Sequence, residues 1–211
     1  FKPVTGAIGL TTNSFTADED FGTSGTSWQD NSSWGDYKVT TLTTYSGAAN
    51  LRNALIYSDN IYFAKAAIKI GADTFAKQLL NIGFDKSLDF PIGMSSSQFG
   101  ENNEFSSEVQ LADSGYGQEK VLVNPLHMAC IYSAFVNDGN MIKPYIEYGE
   151  ETEYAVENAF TEEAAEEIRD DMIQVVENSN GTGHEAQIRS VTIAGKTGTA
   201  ELKASKEEEG E

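Results

Sequence analysis

The stretch that decides the fold runs from residue 58 to residue 64 and reads Ser58-Asp59-Asn60-Ile61-Tyr62-Phe63-Ala64. Apolar residues continue at helical spacing as far as Ile70, and Gly71 follows, so we predict a helix over 60–70. Before it, Asn50 is a suitable N-cap for a short helix over 51–57. The tripeptide Ser58-Asp59-Asn60 therefore lies in a turn between two helices. It either caps the second helix or faces a functional site.

Further helices are predicted on both sides of this pair. Pro3 suits the first turn of a helix within residues 1–12. Asn124 and Pro125 are typical of a helix start, and Thr161 precedes a strongly amphipathic stretch. The predicted elements are helices over 73–82, 125–137 and 161–177 and a β-branched strand over 189–194. Residues 13–50 are predicted to form long loops with short strand pieces, 84–123 to be mostly irregular, and 178–187 to form a polar loop.

Two further short motifs accompany the turn. Lys196-Thr197-Gly198-Thr199 follows the predicted strand, and Phe1-Lys2-Pro3 stands at the start of the chain. Each motif alone is common and is explained by a cap, a turn or a surface lysine. Their combination, in this order and with a helical region between them, indicates a shared site.

Composition excludes several classes of function. The 211 residues carry a net charge of −19, and so acidic a surface repels nucleic-acid phosphates. The single cysteine, Cys130, cannot form a disulfide within the chain. His127 and His184 are too few and too scattered for a metal centre, so we expect no metal and no cofactor.

Longer stretches give the chain a resemblance to a known family. The motif set S-x-x-K, S-D-N, K-T-G occurs in penicillin-recognising serine enzymes. The chain resembles class B penicillin-binding proteins, and within them most of all the low-affinity group of the staphylococcal methicillin-resistance protein. The stretches that carry this resemblance are Trp28-Gln29-Asp30, Ser33-Trp34-Gly35, residues 58–64, Leu111-Ala112-Asp113-Ser114-Gly115-Tyr116-Gly117-Gln118 and Gly195-Lys196-Thr197-Gly198-Thr199-Ala200-Glu201-Leu202-Lys203.

The resemblance implies an α/β fold of the penicillin-binding protein and β-lactamase type. Residues 1–211 would be one partial transpeptidase domain, mostly its helical subdomain plus the strand before Lys196. The family's nucleophilic serine stands three residues before the lysine that Lys2 matches, so it would precede Phe1. The family's domain also continues beyond the position of Glu211. We therefore expect a chain truncated at both ends and inactive by itself.

The resemblance also implies roles for the motif residues. The reaction is acyl transfer from a D-alanyl-D-alanine stem peptide through a serine acyl-enzyme, which β-lactams also acylate. Lys2 would be the base for the serine, and Ser58 would relay the proton to the leaving amine. Asn60 would bind the substrate backbone. Lys196 would supply positive charge, and Thr197, Gly198 and Thr199 would bind the substrate, with the Thr199 N–H in the oxyanion hole.

The implied partners are peptidoglycan stem peptides, β-lactam antibiotics and cell-wall synthesis proteins. The full-length protein would be anchored on the extracellular face of the bacterial cytoplasmic membrane. Two alternatives stay open at this point. One is a β-lactam sensor or β-lactamase-like hydrolase of the same superfamily, and the other is a non-catalytic scaffold. The segment from Gly115 to Gln118 resembles a loop near the cleft, although Tyr116 is equally well explained as a packing residue.

Overall fold

The structure of the chain is a computed structural model that describes residues 1–23, 25–149 and 151–198. Helices dominate these residues, and the strands are short. The α-helices are α1 Lys2–Thr11, α2 Leu51–Ile56, α3 Asn60–Ile70, α4 Ala72–Asn81, α5 Glu108–Ser114, α6 Pro125–Ser133 and α7 Glu162–Glu177. The strands are β1 Ser27–Trp28, β2 Val39–Thr40, β3 Met141–Ile142 and β4 Tyr154–Val156, paired antiparallel as β1 with β2 and β3 with β4.

Helix α3 lies at the centre of the packing. Phe63, Ala66 and Ala67 are completely buried. Two neighbouring helices, α1 and α5, cover α3, and α7 packs on α1 and α2. Gly115 brings α5 close to α3, because a Cβ there would lie 2.3 Å from the carbonyl oxygen of Phe63. Small residues at this crossing therefore decide how near the two helices approach.

The predicted caps are present at both helix starts around the central turn. The Asn50 side chain accepts a hydrogen bond from the Asn53 N–H. The Asp59 carboxylate accepts from the N–H groups of Ile61 and Tyr62, at 2.8 and 3.3 Å. These acceptors satisfy backbone donors that have no partner within the helix. The predictions for α2 and α3 are confirmed, and those for the N-terminal helix, α4, α6 and α7 hold within a few residues.

Helix α5 was missed by the sequence reasoning, which left 84–123 irregular. It has seven residues, too short for periodicity to reveal. The local signal is its N-cap, where the Ser107 side chain accepts from the Gln110 N–H. Tertiary packing against α3 accounts for the rest, since a helix of this length is not stable alone.

The strand predicted over 189–194 is wrong. A single antiparallel bridge joins Ile188 to Val191 around a turn, and 192–198 belong to no regular element. The β-branched alternation there is genuine, but a strand exists only by hydrogen bonding to a neighbour. Among the described residues no strand lies alongside this segment. Ile188 and Val191 are accordingly more than half exposed, at 54% and 57%.

Trp28 and Trp34 attach the long loop region before α2 to the rest of the domain. Trp34 is buried, and its indole N–H donates to a Glu108 carboxylate oxygen at 2.7 Å. The two rings meet edge to face.

No helix among the described residues is long and apolar enough to cross a membrane.

Candidate active site

Ser58 occupies an unusual backbone conformation between α2 and α3. Its φ is +57°, in the left-handed region that residues with a Cβ seldom adopt. The turn is held by hydrogen bonds from the Ser58 N–H to Leu55 O at 3.2 Å and from the Asp59 N–H to Ala54 O at 2.9 Å. Strain of this kind persists only where the surroundings enforce it, and it concentrates at functional sites. The turn presents the Ser58 hydroxyl to a cleft.

Lys2 reaches this hydroxyl from the first turn of α1. Its Nζ donates to Ser58 Oγ at 3.0 Å, across 56 residues of sequence. Burial lowers the pKa of Lys2 to about 8, and the negative charge of Asp59 opposes that change. The neutral amine, which can accept a proton, is therefore accessible near neutral pH.

Lys196 and Thr197 lie on the other side of the same cleft. Lys196 Nζ donates to Thr197 Oγ1 at 3.0 Å. Burial and, to a smaller extent, the positive charge of Lys2 together lower the pKa of Lys196 to about 7. Both lysines line the same cleft. A negatively charged ligand between them would be stabilised by both.

Asn60 lies on the same rim. Its side-chain amide donates to the Thr40 carbonyl on β2 at 2.9 Å. This bond ties the start of α3 to the small β1–β2 sheet. The amide also borders the open space of the cleft.

The cleft has a volume of about 590 Å³, large enough for a peptide terminus. The structure brings together six of the seven predicted site residues along its walls. These are Lys2, Ser58, Asn60, Lys196, Thr197 and Gly198. The seventh, Thr199, lies outside the described residues.

This geometry allows one kind of chemistry in particular. A serine hydroxyl is hydrogen-bonded to a lysine of lowered pKa, and a second lysine supplies positive charge nearby. Such a set can move protons at a hydroxyl and an amine and can hold an anionic group, which are the requirements of acyl transfer.

Comparison with known families decides the relationship. The family described as "Penicillin binding protein transpeptidase domain" matches residues 1–211. The chain belongs to this transpeptidase family. It is 40% identical over 211 residues to penicillin-binding protein 3 of Bacillus subtilis, covering 98% of this chain and 31% of that protein. It is 32% identical over 158 residues to the probable peptidoglycan D,D-transpeptidase PbpC of Pseudomonas aeruginosa, covering 71% and 26%.

Solved structures agree with this membership of the penicillin-binding protein family. The D,D-transpeptidase domain of a peptidoglycan glycosyltransferase from Eggerthella lenta matches with a TM-score of 0.81 at 27% identity, over 95% of this chain and 52% of that one. A peptidoglycan glycosyltransferase from Burkholderia ambifaria has the same fold, with a TM-score of 0.80 at 20% identity. The α/β transpeptidase fold expected from the sequence is confirmed. The chain spans about a third or less of the two curated relatives named above.

Three cleft residues of this transpeptidase domain were missed by the sequence reasoning or left undecided. The hydroxyls of Tyr37 and Tyr116 both donate to the buried carboxylate of Asp113, each across a short hydrogen bond. Tyr116 is thus both a cleft residue and a packing residue. Tyr37 had one signal in the sequence, its place just after the Ser33-Trp34-Gly35 stretch. Its contact with Asp113, 76 residues away, exists only in the fold.

Proposed function

We propose that the full-length protein is a peptidoglycan D,D-transpeptidase and that residues 1–211 form part of its transpeptidase domain. The observation that carries the proposal is the 3.0 Å hydrogen bond from Lys2 Nζ to Ser58 Oγ, in a cleft shared with Lys196. A lysine of lowered pKa beside a hydroxyl is the proton relay that serine acyl transfer needs. The family membership and the relatives named as D,D-transpeptidases support the same reaction.

In this proposal a serine three residues before Lys2 is the nucleophile. One helical turn separates positions i and i+3, so Lys2 stands within reach of that serine. The serine Oγ bonds to the carbonyl carbon of the penultimate D-alanine, and its proton passes to the neutral Lys2 amine. The peptide bond to the terminal D-alanine breaks, and Ser58 relays the proton to the leaving amine. The amine of a second stem peptide then attacks the ester and frees the serine.

The opposite wall of the cleft would hold the substrate. Lys196 attracts the terminal carboxylate, and the hydroxyls of Thr197 and Thr199 bind it. Gly198 has open space around it, so a substrate backbone can approach closely. The Asn60 amide would bind the substrate's backbone, and the Thr199 N–H would stabilise the oxyanion. No cofactor enters this scheme.

The pH dependence of β-lactam acylation tests the lysine roles. Lys2, with a pKa of about 8, must be neutral to accept a proton, whereas Lys196, with a pKa of about 7, must be charged to hold the carboxylate. Because the pKa of the base lies above that of the cation, only a minority of molecules holds both required forms at any pH. The second-order rate in the full-length protein should therefore follow a bell that rises up to about pH 7 and falls above about pH 8, and these two apparent pKa values belong to the pair of lysines.

Matched variants sharpen the test. Lys2→Arg removes the base and should lower acylation at least about 100-fold, the scale of one general base. Lys77→Arg, on the exposed face of α4, should leave the rate unchanged. Equal acylation by wild type and Lys2→Arg would refute the proposal. Rapid turnover of penicillin would favour the hydrolase alternative instead.

We also propose that residues 1–211 expressed alone form no covalent penicillin adduct, because the nucleophile lies outside them. Intact mass spectrometry of this chain beside the full-length protein checks this. A stable adduct on the 211 residues would contradict it. The upstream codon must also encode serine three residues before Lys2, and any other residue there would remove the proposed nucleophile.

A finer proposal concerns antibiotic affinity. The stretches around Trp28, Trp34 and Gly115 support membership of the low-affinity, methicillin-resistance group. Acylation by benzylpenicillin should then be slow compared with a penicillin-susceptible transpeptidase in the same assay. Equal rates would refute this assignment.

We further propose that the full-length protein is anchored in the bacterial cytoplasmic membrane and acts on its extracellular face with other cell-wall synthesis proteins. The support is membership of a family that acts on peptidoglycan. Membrane fractionation and protease accessibility of the domain in intact spheroplasts test the location. A domain that stays protected from protease would contradict it.

A further inference from the structure

Thr182 lies in a loop that the end of α7 holds tightly. The Gly183 N–H donates to Val175 O at 3.1 Å, and the Gly181 N–H donates to Asn178 O at 2.8 Å. A Cβ at Gly181 would lie 2.1 Å from Val175 O, so the loop packs directly against the helix backbone. Thr182, between the two glycines, therefore has a well-defined position.

The backbone of Thr182 is bonded to the segment that leads into the Ser58 turn. Its N–H donates to Ile56 O at 3.1 Å, at the last residue of α2 and two residues before Ser58. The loop after α7 thus supports the end of α2. A shift of Thr182 would therefore strain its hydrogen bond to Ile56 O and disturb the Ser58 turn that follows.

The side chain of Thr182 is hydrogen-bonded to Lys196 and Thr197 on the opposite side of the cleft. Thr182 Oγ1 accepts a hydrogen bond from Thr197 Oγ1 at 2.9 Å and a longer one from Lys196 Nζ at 3.5 Å. Lys196 Nζ also donates to Thr197 Oγ1, so the three side chains form a triangle. Among the described residues this segment forms no strand, and the Gly195 N–H attaches its backbone to α7 by donating to Met172 O at 3.2 Å.

We propose that Thr182 is a positioning residue that sets Lys196 and Thr197 at their distance from Ser58. Its backbone N–H bonds to the end of α2, and its hydroxyl accepts hydrogen bonds from the side chains of Thr197 and Lys196. One residue therefore connects the two walls of the cleft. The predicted effect of Thr182 on catalysis rests on the proposed function, whereas its predicted effect on the position and pKa of Lys196 does not. Thr182 touches no reacting atom in this scheme and acts through Lys196 and Thr197.

The first experiment needs no activity. The Lys196 amine is titrated by NMR in the full-length protein labelled with 13C at the lysine ε-carbon. Thr182→Val keeps the shape and the backbone N–H but removes an acceptor for the ammonium, so the pKa of Lys196 should fall from its wild-type value. Thr182→Ser should restore that value. Thr192→Val, an exposed threonine in the same segment, is the control and should change nothing. An unchanged Lys196 titration in Thr182→Val would overturn the proposal.

The second experiment measures catalysis in the full-length protein. Thr182→Val should lower the second-order rate of β-lactam acylation about fivefold, the loss expected when the 2.9 Å hydrogen bond between the Thr197 and Thr182 hydroxyls is removed. Thr182→Ser should stay within about twofold of wild type, as should Thr192→Val. An active wild type with an equally active Thr182→Val would refute the positioning role. An inactive wild type would refute the proposed function alone, since the NMR titration decides the Thr182 contact separately.

Discussion

The cap of α3 permits a prediction in which the structure supplies both the mechanism and the magnitude. Asp59 is 8% exposed, and its Oδ1 caps the N–H groups of Ile61 and Tyr62. Its Oδ2 accepts from the Tyr45 hydroxyl at 3.0 Å. Asp59→Ala removes both functions, whereas Asp59→Asn keeps an acceptor at the cap and a polar partner for Tyr45. Comparing the two variants therefore separates hydrogen bonding from charge.

The expected cost of Asp59→Ala is about 2 kcal/mol in the free energy of unfolding. Loss of an N-cap costs about 1 kcal/mol. Leaving the half-buried Tyr45 hydroxyl without its partner costs about 1 kcal/mol more. With a urea m-value of about 2 kcal/mol/M, the unfolding midpoint should fall by about 1 M. Asp59→Asn should lower the urea midpoint by well under half of that amount.

The assay is equilibrium urea unfolding of the 211-residue chain, followed by tryptophan fluorescence and by circular dichroism. Equal midpoints for Asp59→Ala and Asp59→Asn would refute the capping argument. Both variants remove the carboxylate charge that supports protonated Lys2, so both should lower the pKa of Lys2 below about 8. An unchanged Lys2 titration in Asp59→Asn would show that the charge of Asp59 does not act on Lys2.

Two further predictions concern packing and burial. Gly115→Ala should lower the free energy of unfolding by about 1–3 kcal/mol in thermal or urea unfolding, because its Cβ would meet the Phe63 carbonyl oxygen. The control is Gly93→Ala, which has nothing within 4 Å of the added Cβ and should cost under about 0.5 kcal/mol. Equal effects would contradict the close crossing of α3 and α5. Burial raises the pKa of Asp171 to about 6 despite its ion pair with Arg52, so stability from this group is present below about pH 4 and is lost as pH rises through 6. Relative to Asp171→Asn, the wild type should therefore lose about 3 kcal/mol between those pH values, and a constant difference would contradict the raised pKa.

Local patterns in the sequence were enough for the helices that frame the site. Asn50, Asp59 and Asn124 each precede a helix and accept backbone hydrogen bonds at its start. Such caps act over three residues, so they can be read without knowledge of the fold. The same reasoning was wrong at 189–194, because pairing of strands depends on what lies alongside. It missed α5 because seven residues give too little periodicity.

The candidate site was predictable only as a set of separate motifs. Lys2, Ser58 and Lys196 were singled out by residue type and order, and the family membership they suggested is confirmed. Their catalytic roles stay predictions. Their proximity comes from α1 and α7 packing around α3 and α2, which brings Lys2 within 3.0 Å of a serine 56 residues away.

The sequence by itself therefore determined the family, the position of every helix except α5 to within a few residues, and the identity of the motif residues, because these depend on short-range chemistry that each segment carries alone. Only the tertiary structure decided the lowered pKa values of Lys2 and Lys196, which arise from burial. It alone decided that Thr182 joins the end of α2 to the segment of Lys196 and Thr197. Burial and long-range hydrogen bonds arise only when distant segments pack together, so no local sequence pattern predicts them.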